Sequence, residues 1–300
     1  MLIESATDAP HQLPARFQHD AFVYTSDEDF VRQAAPYLHD GLAAGETVVA
    51  ALPESWNSIL RKELGGAAAH VVFLDIAQLG RNPARLIPLW RKLLDQAPGI
   101  PMRGLAEPAY QGRTKAELTE VVLHELLQDV AFQDADSFRL LCSYAAAVEV
   151  ESHTSGDAAR ADAETTFRTP LPGVPDHAER MEFGLAELGD VRRRANAAAR
   201  AAGLSNDRAD DLELALHEIC TNSVRFGGGR GTASWWLEDG ALICDVADHG
   251  RIDDLLVGRV LPPVDRLGGR GVWLANQLCD LVQLRSGDDF TEVRLHTWSR

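Results

Sequence analysis

Between Phe17 and Tyr144, short β-type runs and amphipathic stretches take turns along the chain; beyond Asp176 they no longer do. No other feature restricts the fold as strongly. A strand–helix–strand rhythm demands a mainly parallel sheet with helices on its faces, whereas helices grouped ahead of paired strands demand an antiparallel layer. In the first stretch, residues 21–24, 47–51, 70–75, 102–106 and 138–142 read as strands, rich in Val, Phe and Leu and bounded by turn residues. Residues 28–39, 54–64, 84–95 and 115–130 have helical spacing, and in the last of these Leu118, Val122 and Leu126 share a face.

The rhythm breaks over 151–175, where Ser152, Thr154, Ser155 and Gly156 precede an Ala/Asp-rich run and then Pro170, Pro172, Gly173 and Pro175. The Pro/Gly end has linker composition, although 157–164 can form a short helix. The chain therefore divides into a flexible tail (1–16), a first domain (17–150), a linker (151–175) and a second domain (176–300). In the second domain, residues 188–202 read as a helix stopped by Gly203. Ser205 or Asn206 caps the next, over 207–225. The strands 232–238 and 241–247 are joined by Asp239-Gly240, a strong two-residue hairpin signal. A helix over 271–281 and a last strand pair, 282–286 and 292–297, complete an α+β sandwich.

Three hundred residues suit two such domains, and 45% hydrophobic with 25% charged residues is ordinary globular composition. The formal net charge is −16, and acid predominates in both halves. Nucleic acid and anionic membranes reward clustered Lys and Arg, so neither is expected as a direct partner. Cys142, Cys220, Cys244 and Cys279 form no CxxC pair, and Cys220 and Cys279 sit among apolar residues, as buried reduced thiols do. The first residues lack a basic region followed by an apolar core, and nowhere do about 18 apolar residues run together. A cytoplasmic location is the expectation.

Residue types with chemistry gather in the second domain. Glu218 and Asn222 are four apart on one helix and share a face, while Leu212, Ala215, Leu216, Ile219 and Cys220 form its apolar side. A carboxylate beside an amide supplies a base for a hydroxyl and a neutral oxygen ligand for Mg²⁺, though an isolated pair of this kind is more often a solvated polar face. Asp248-His249-Gly250 follows a strand; such an Asp can accept from an exocyclic amine or simply make an Asx turn. Gly268-Gly269-Arg270-Gly271 opens a helix, an arrangement that presents backbone N–H groups to phosphate but is shared by ordinary turns. No Walker A loop and no HExxH occurs.

The order of the three features narrows the reading. Helical E-x-x-x-N, then D-x-G about 26 residues on, then GGRG about 20 beyond, then Thr291 before a last strand, resembles the GHKL (Bergerat) ATPase fold. More narrowly, 214–226 (LALHEICTNSVRF), 244–250 and 268–280 (GGRGVWLANQLCD) look like the anti-sigma-factor serine/threonine kinases of bacterial partner-switching systems. The resemblance spans about 125 residues. It implies ATP and Mg²⁺ as cofactors, Glu218 as catalytic base and Asn222 as Mg²⁺ ligand. Asp248 would read the adenine amino group with Gly250 beside it, and Gly268, Gly269, Arg270 and Gly271 would hold the phosphates. Thr291 would back the adenine pocket, and 251–267 would be the lid. Two departures stand out: Arg225-Phe226 replaces the histidine many relatives carry, and His249 stands where other side chains are usual. The helix ahead of Glu218 has no histidine, so two-component autophosphorylation is not expected.

The first domain looks like a MEDS sensory domain, a module distantly similar to RecA-type ATPases without their phosphate loop. The residues that carry this are Phe17-Gln18-His19 with Tyr24, Asp27 to Phe30, Gly41-Leu42 with Gly45-Glu46, Arg103 with Glu107-Pro108, Glu125, and Leu140 to Tyr144. His19, Arg103 and Glu107 fall at expected strand ends, where open α/β sheets bind ligands; a surface polar position or a structural ion pair is an equal alternative for each. Together the two resemblances imply a cytoplasmic regulator, with a RecA-like parallel-sheet sensory domain controlling a GHKL kinase. The kinase would phosphorylate a STAS-type anti-sigma antagonist, with a sigma factor as competing partner and a homodimer as a possible assembly. The alternative is an ATP-dependent protein-binding switch that transfers no phosphate.

Overall fold

The structure, a computed structural model, describes residues 17–148, 156–262 and 269–299. The expected tail, 1–16, lies outside the described residues. Its N-terminal part runs β1 (Gln18–Tyr24), α1 (Asp27–Ala43), β2 (Thr47–Leu52), α2 (Glu54–Leu64), β3 (Val71–Asp75), α3 (Ile76–Leu79), α4 (Leu86–Gln96), β4 (Met102–Ala106), α5 (Lys115–Ala131) and β5 (Phe138–Ala145). All five strands pair in parallel, in the order β1-β5-β4-β2-β3. Side chains alternate across the sheet. Val48, Ala50 and Leu52 pack under Phe30, Leu38 and Leu60 of α1 and α2, while Val49 and Ala51 face the side holding Trp90, Leu126 and Leu127 of α4 and α5. Near-continuous apolar strands are what a sheet buried on both faces requires.

Helix α6 (Gly156–Arg168) falls inside the segment whose composition reads as linker, and is longer than the short helix expected there. It packs on α5 and against β9 (Leu281–Ser286), burying Ala159, Ala163 and Phe167 on one stripe. The C-terminal part continues with β6 (Glu179–Phe183), α7 (Leu188–Ala201), α8 (Asn206–Phe226), β7 (Gly231–Glu238), β8 (Ala241–Asp248), α9 (Gly271–Leu278), then β9 and β10 (Thr291–Trp298). These five strands form an antiparallel sheet, β6-β7-β8-β10-β9. Thus α/β and α+β layers coexist in one chain, the second with the GHKL-like arrangement. Asp239 and Gly240 both take positive φ (48° and 73°), as the tight β7–β8 turn demands. Gly203 (φ 82°) ends α7, with Leu204 N donating to Ala199 O at 3.1 Å.

The two parts are held together by named contacts. Arg85 donates to the carbonyls of Asn276 (2.7 Å), Gln277 (2.9 Å) and Cys279 (2.6 Å), so a cation from the first part caps the C-terminal end of α9. Asn82 Nδ2 donates to Asn276 Oδ1 at 2.9 Å. Glu120 of α5, 1% exposed, receives Arg285 at 2.6 Å and Arg259 at 3.3 Å. Edge strand β9 packs against α6, and its Arg285 is tied to α5 through Glu120. All four cysteines are buried and free. Among the described residues no helix is long and apolar enough to cross a membrane.

Candidate functional site

Ser205 starts α8 by accepting from Arg208 N at 3.3 Å. The buried stripe Leu212, Ala215, Leu216, Ile219 and Cys220 then fixes the rotation of the helix, leaving Glu218 and Asn222 half-buried, one turn apart. Gly271, the first residue of α9, sits against both. A Cβ there would lie 2.9 Å from Asn222 Nδ2 and 3.1 Å from Glu218 Oε2, so any larger residue would push these two side-chain ends from their places.

At the end of β8, Asp248 Oδ1 accepts from Gly250 N at 2.6 Å. Gly227, the C-cap of α8, closes on the same carboxylate: a Cβ on it would stand 2.4 Å from Asp248 Cγ. Thr291 is directly opposite Asp248 in the β8–β10 ladder. Its hydroxyl donates to Gly250 O at 3.0 Å and lies 2.8 Å from Ser286 Oγ, which accepts from Ile252 N at 2.8 Å. Asn222, Asp248, Gly250, Gly269 and Thr291 line one cavity of about 570 Å³, a size usual for small-molecule sites. The stretch from Arg251 to Pro262 forms a wall of it.

Glu218 and Gly271 stand beside Asn222 next to this cavity, and Arg270 is exposed at the N-cap of α9. Gly268 and the lid residues 263–267 lie outside the described residues. Gly227 and Ser286 are site residues that motif reading passes over. The run Gly227-Gly228-Gly229 reads only as a helix stop, and Ser286 ends a strand without any local signal. His249 Nδ1 lies 3.3 Å from Asp289 O, and the Arg225 guanidinium sits over the Phe226 ring.

Within the wall stretch 251–262, Gly258 and Arg259 are buried, whereas Arg251, Asp253, Asp254, Val260 and Leu261 are exposed. Gly258 O accepts from Asn276 Nδ2 at 3.0 Å, and Arg259, 6% exposed, reaches Glu120. Burial pulls the Arg259 guanidinium down to about 10, against the pull of Glu120.

His19, Arg103 and Glu107 are not brought together. His19 and Arg103 are each the second residue of their strands, at the amino edge of the sheet, whereas Glu107 follows β4 at the carboxyl edge. Only Glu107 is therefore at the edge where open α/β sheets bind ligands. Arg103 is committed to Glu46 through two hydrogen bonds, 2.5 and 3.1 Å, and to Tyr37 O at 2.9 Å. Glu107 accepts from the Tyr24 hydroxyl, and burial pushes its carboxyl up to about 7. For His19, burial acts to lower the pKa, but the hydrogen bond and charge of Glu125 prevail and raise it.

Residues 18–162 match the family model of the MEthanogen/methylotroph, DcmR Sensory (MEDS) domain, and residues 181–297 that of the histidine kinase-like ATPase domain. The chain thus joins a MEDS domain to a histidine kinase-like ATPase domain, whose fold implies ATP binding. No curated protein matches it. Among solved structures, it is similar to the RsbU and RsbW domains of Rv1364c from Mycobacterium tuberculosis, at 16% identity and TM-score 0.31. That similarity covers 40% of this chain and 32% of the other, so this chain spans about a third of that protein's length. A second similarity, at 14% identity and TM-score 0.31, is to the SiaB-SiaC complex from Pseudomonas aeruginosa, covering 46% of this chain and 95% of that one.

Proposed function

We propose that this chain is a partner-switching regulator whose C-terminal domain binds ATP with Mg²⁺ and phosphorylates a serine or threonine of a STAS-type anti-sigma antagonist. A sigma factor would compete with the antagonist for this chain, and the working assembly would be a cytoplasmic homodimer. One observation carries the reading: Asn222, Asp248, Gly250, Gly269 and Thr291, drawn from a helix, a strand end, two glycine turns and a second strand, line a single cavity.

The glycines test the fit to a nucleotide. Gly227 and Gly250 leave Asp248 a carboxylate face that any Cβ would fill, which suits an acceptor for an exocyclic amino group. Gly271 brings the N-terminus of α9 against Glu218 and Asn222, so backbone N–H groups and the positive helix end lie where phosphates would be held. Asn222 would hold Mg²⁺, which supplies charge to offset the phosphates. Glu218 would take the proton of the substrate hydroxyl as its oxygen bonds to the γ-phosphorus and ADP leaves. Helix α7, which precedes α8, contains no histidine, in keeping with a protein hydroxyl rather than an internal imidazole as acceptor.

A second reading, a nucleotide-dependent binding switch without transfer, draws on the anchored wall: Arg259 ties the stretch around the cavity to Glu120 of the sensory domain. Incubation with γ-labelled ATP, Mg²⁺ and the antagonist separates the two. Label on the antagonist that disappears with Glu218→Ala supports the kinase. Tight ATP binding with no transfer supports the switch.

A further inference from the structure

Strand β1, helix α5 and strand β5 bring three unlike donor atoms to one point inside the MEDS domain. His19 Nε2 stands 3.2 Å from Glu125 Oε2 and 3.3 Å from Cys142 Sγ, and the three donors all lie within 4.8 Å of one another. Their side chains are nearly closed to solvent, at 6% for His19, 4% for Glu125 and 0% for Cys142. A neutral or protonated imidazole carries at most one proton on Nε2, so it can donate along only one of its two short contacts. A cation at the shared point satisfies both. Tetrahedral zinc bonds of about 2.0 Å to nitrogen and oxygen and about 2.3 Å to sulfur set donor–donor edges of roughly 3.3–3.5 Å. The two separations from His19 match those edges closely.

We propose that His19, Glu125 and Cys142 form a binding site for a divalent cation of the zinc class. The donor set selects it: a thiolate and an imidazole exclude hard cations such as Mg²⁺ and Ca²⁺, while one carboxylate keeps the site suited to a borderline ion. The carboxylate is already oriented, since Gln128 Nε2 donates to Glu125 Oε1 at 3.0 Å and the Tyr144 hydroxyl to Oε2 at 2.5 Å. Such outer partners hold a metal ligand in place. His19 also borders a cavity of about 460 Å³ shared with Asp20 and Asp129, whose carboxylates attract a cation to the entrance. Three protein donors leave a fourth tetrahedral position for water or for a small signal molecule. On binding, the Cys142 S–H bond breaks as the sulfur–metal bond forms, Nε2 coordinates through its lone pair, and the displaced protons pass to solvent without electron transfer. Among the described residues no other His, Cys, Asp and Glu side chains gather in this way.

The full chain, stripped with a chelator and titrated with Co²⁺, tests the site. One Co²⁺ per chain should bind, with thiolate-to-cobalt charge-transfer absorption and the intense visible bands of a tetrahedral ion, and Zn²⁺ should displace it. Cys142→Ser should erase the charge-transfer band, and Glu125→Gln should weaken affinity by at least about 10-fold. Cys244→Ser, which alters a thiol elsewhere in the core, should keep the band. Circular dichroism of each variant separates a lost ligand from a lost fold. Failure of the folded wild-type chain to bind Co²⁺, or a band that survives Cys142→Ser, overturns the proposal.

Discussion

Asp248 is held by two glycines and answered across the ladder by Thr291, so its effect on ligand binding is separable from its effect on the fold. Wild-type protein at ATP-Mg²⁺ near 100 Kd should gain about 2.7 kcal/mol of stability, and Asp248→Ala should abolish that gain in a thermal-shift assay. Gly227→Ala should do the same, because its Cβ would collide with the carboxylate. Glu107 makes a prediction of a different kind. Its folded pKa, about 7, lies above the ordinary carboxylate value of 4.5, so the folded state holds its proton more tightly than the unfolded one. That stabilisation is complete below about pH 4.5 and is lost as pH rises to 7. Glu107→Gln should therefore flatten the fall in melting temperature across that window and stabilise the protein at pH 8 by on the order of 1–3 kcal/mol. Glu107 could be singled out in the sequence as a candidate, but not its partner: Tyr24 is 83 positions away, and only the parallel pairing of β1, β5 and β4 brings the two together.

Elements differ in how far local signals define them. Helix α8 carries its start, its apolar stripe and its stop within its own residues, and Ser205→Ala should cost about 1 kcal/mol of stability in urea unfolding through loss of the N-cap. The β7–β8 hairpin is equally self-contained, because Asp239-Gly240 alone selects the turn. Strand β6 is not: Glu-Arg-Met-Glu-Phe is an exposed edge sequence with only Phe183 buried, and nothing short of its pairing with β7 makes it a strand. Helix α6 is read too short, as 157–164, for a related reason. Its alanines look like spacer composition until α5 lies against them. The candidate nucleotide site was legible where a motif places residues on one element, as with Glu218 and Asn222. It was not where function needs a close approach between elements, as with Gly227 against Asp248.

Across the molecule, the two parts share a buried electrostatic contact: Glu120 of the sensory domain receives two guanidinium groups of the ATPase domain, Arg259 and Arg285. Removing it leaves two cations without their counter-charge, and Glu120→Ala should destabilise the chain by roughly 3–5 kcal/mol. Hydrogen exchange over 255–262 should rise in the same variant, since Arg259 is the side chain that ties this stretch to α5. Glu120 also has a position on its helix that matters. Five residues further along α5 is Glu125, about 7.5 Å up the axis, so one helix carries a carboxylate paired with Arg259 and Arg285 of the C-terminal part and another in the interior of the N-terminal part. Ligands of the two parts then obey a reciprocal rule. Whatever factor an occupant beside Glu125 applies to the dissociation constant of ATP, ATP must apply to the dissociation constant of that occupant. On the functions proposed above, cellular nucleotide and the occupant of the Glu125 site would each tune the affinity for the other by that one factor.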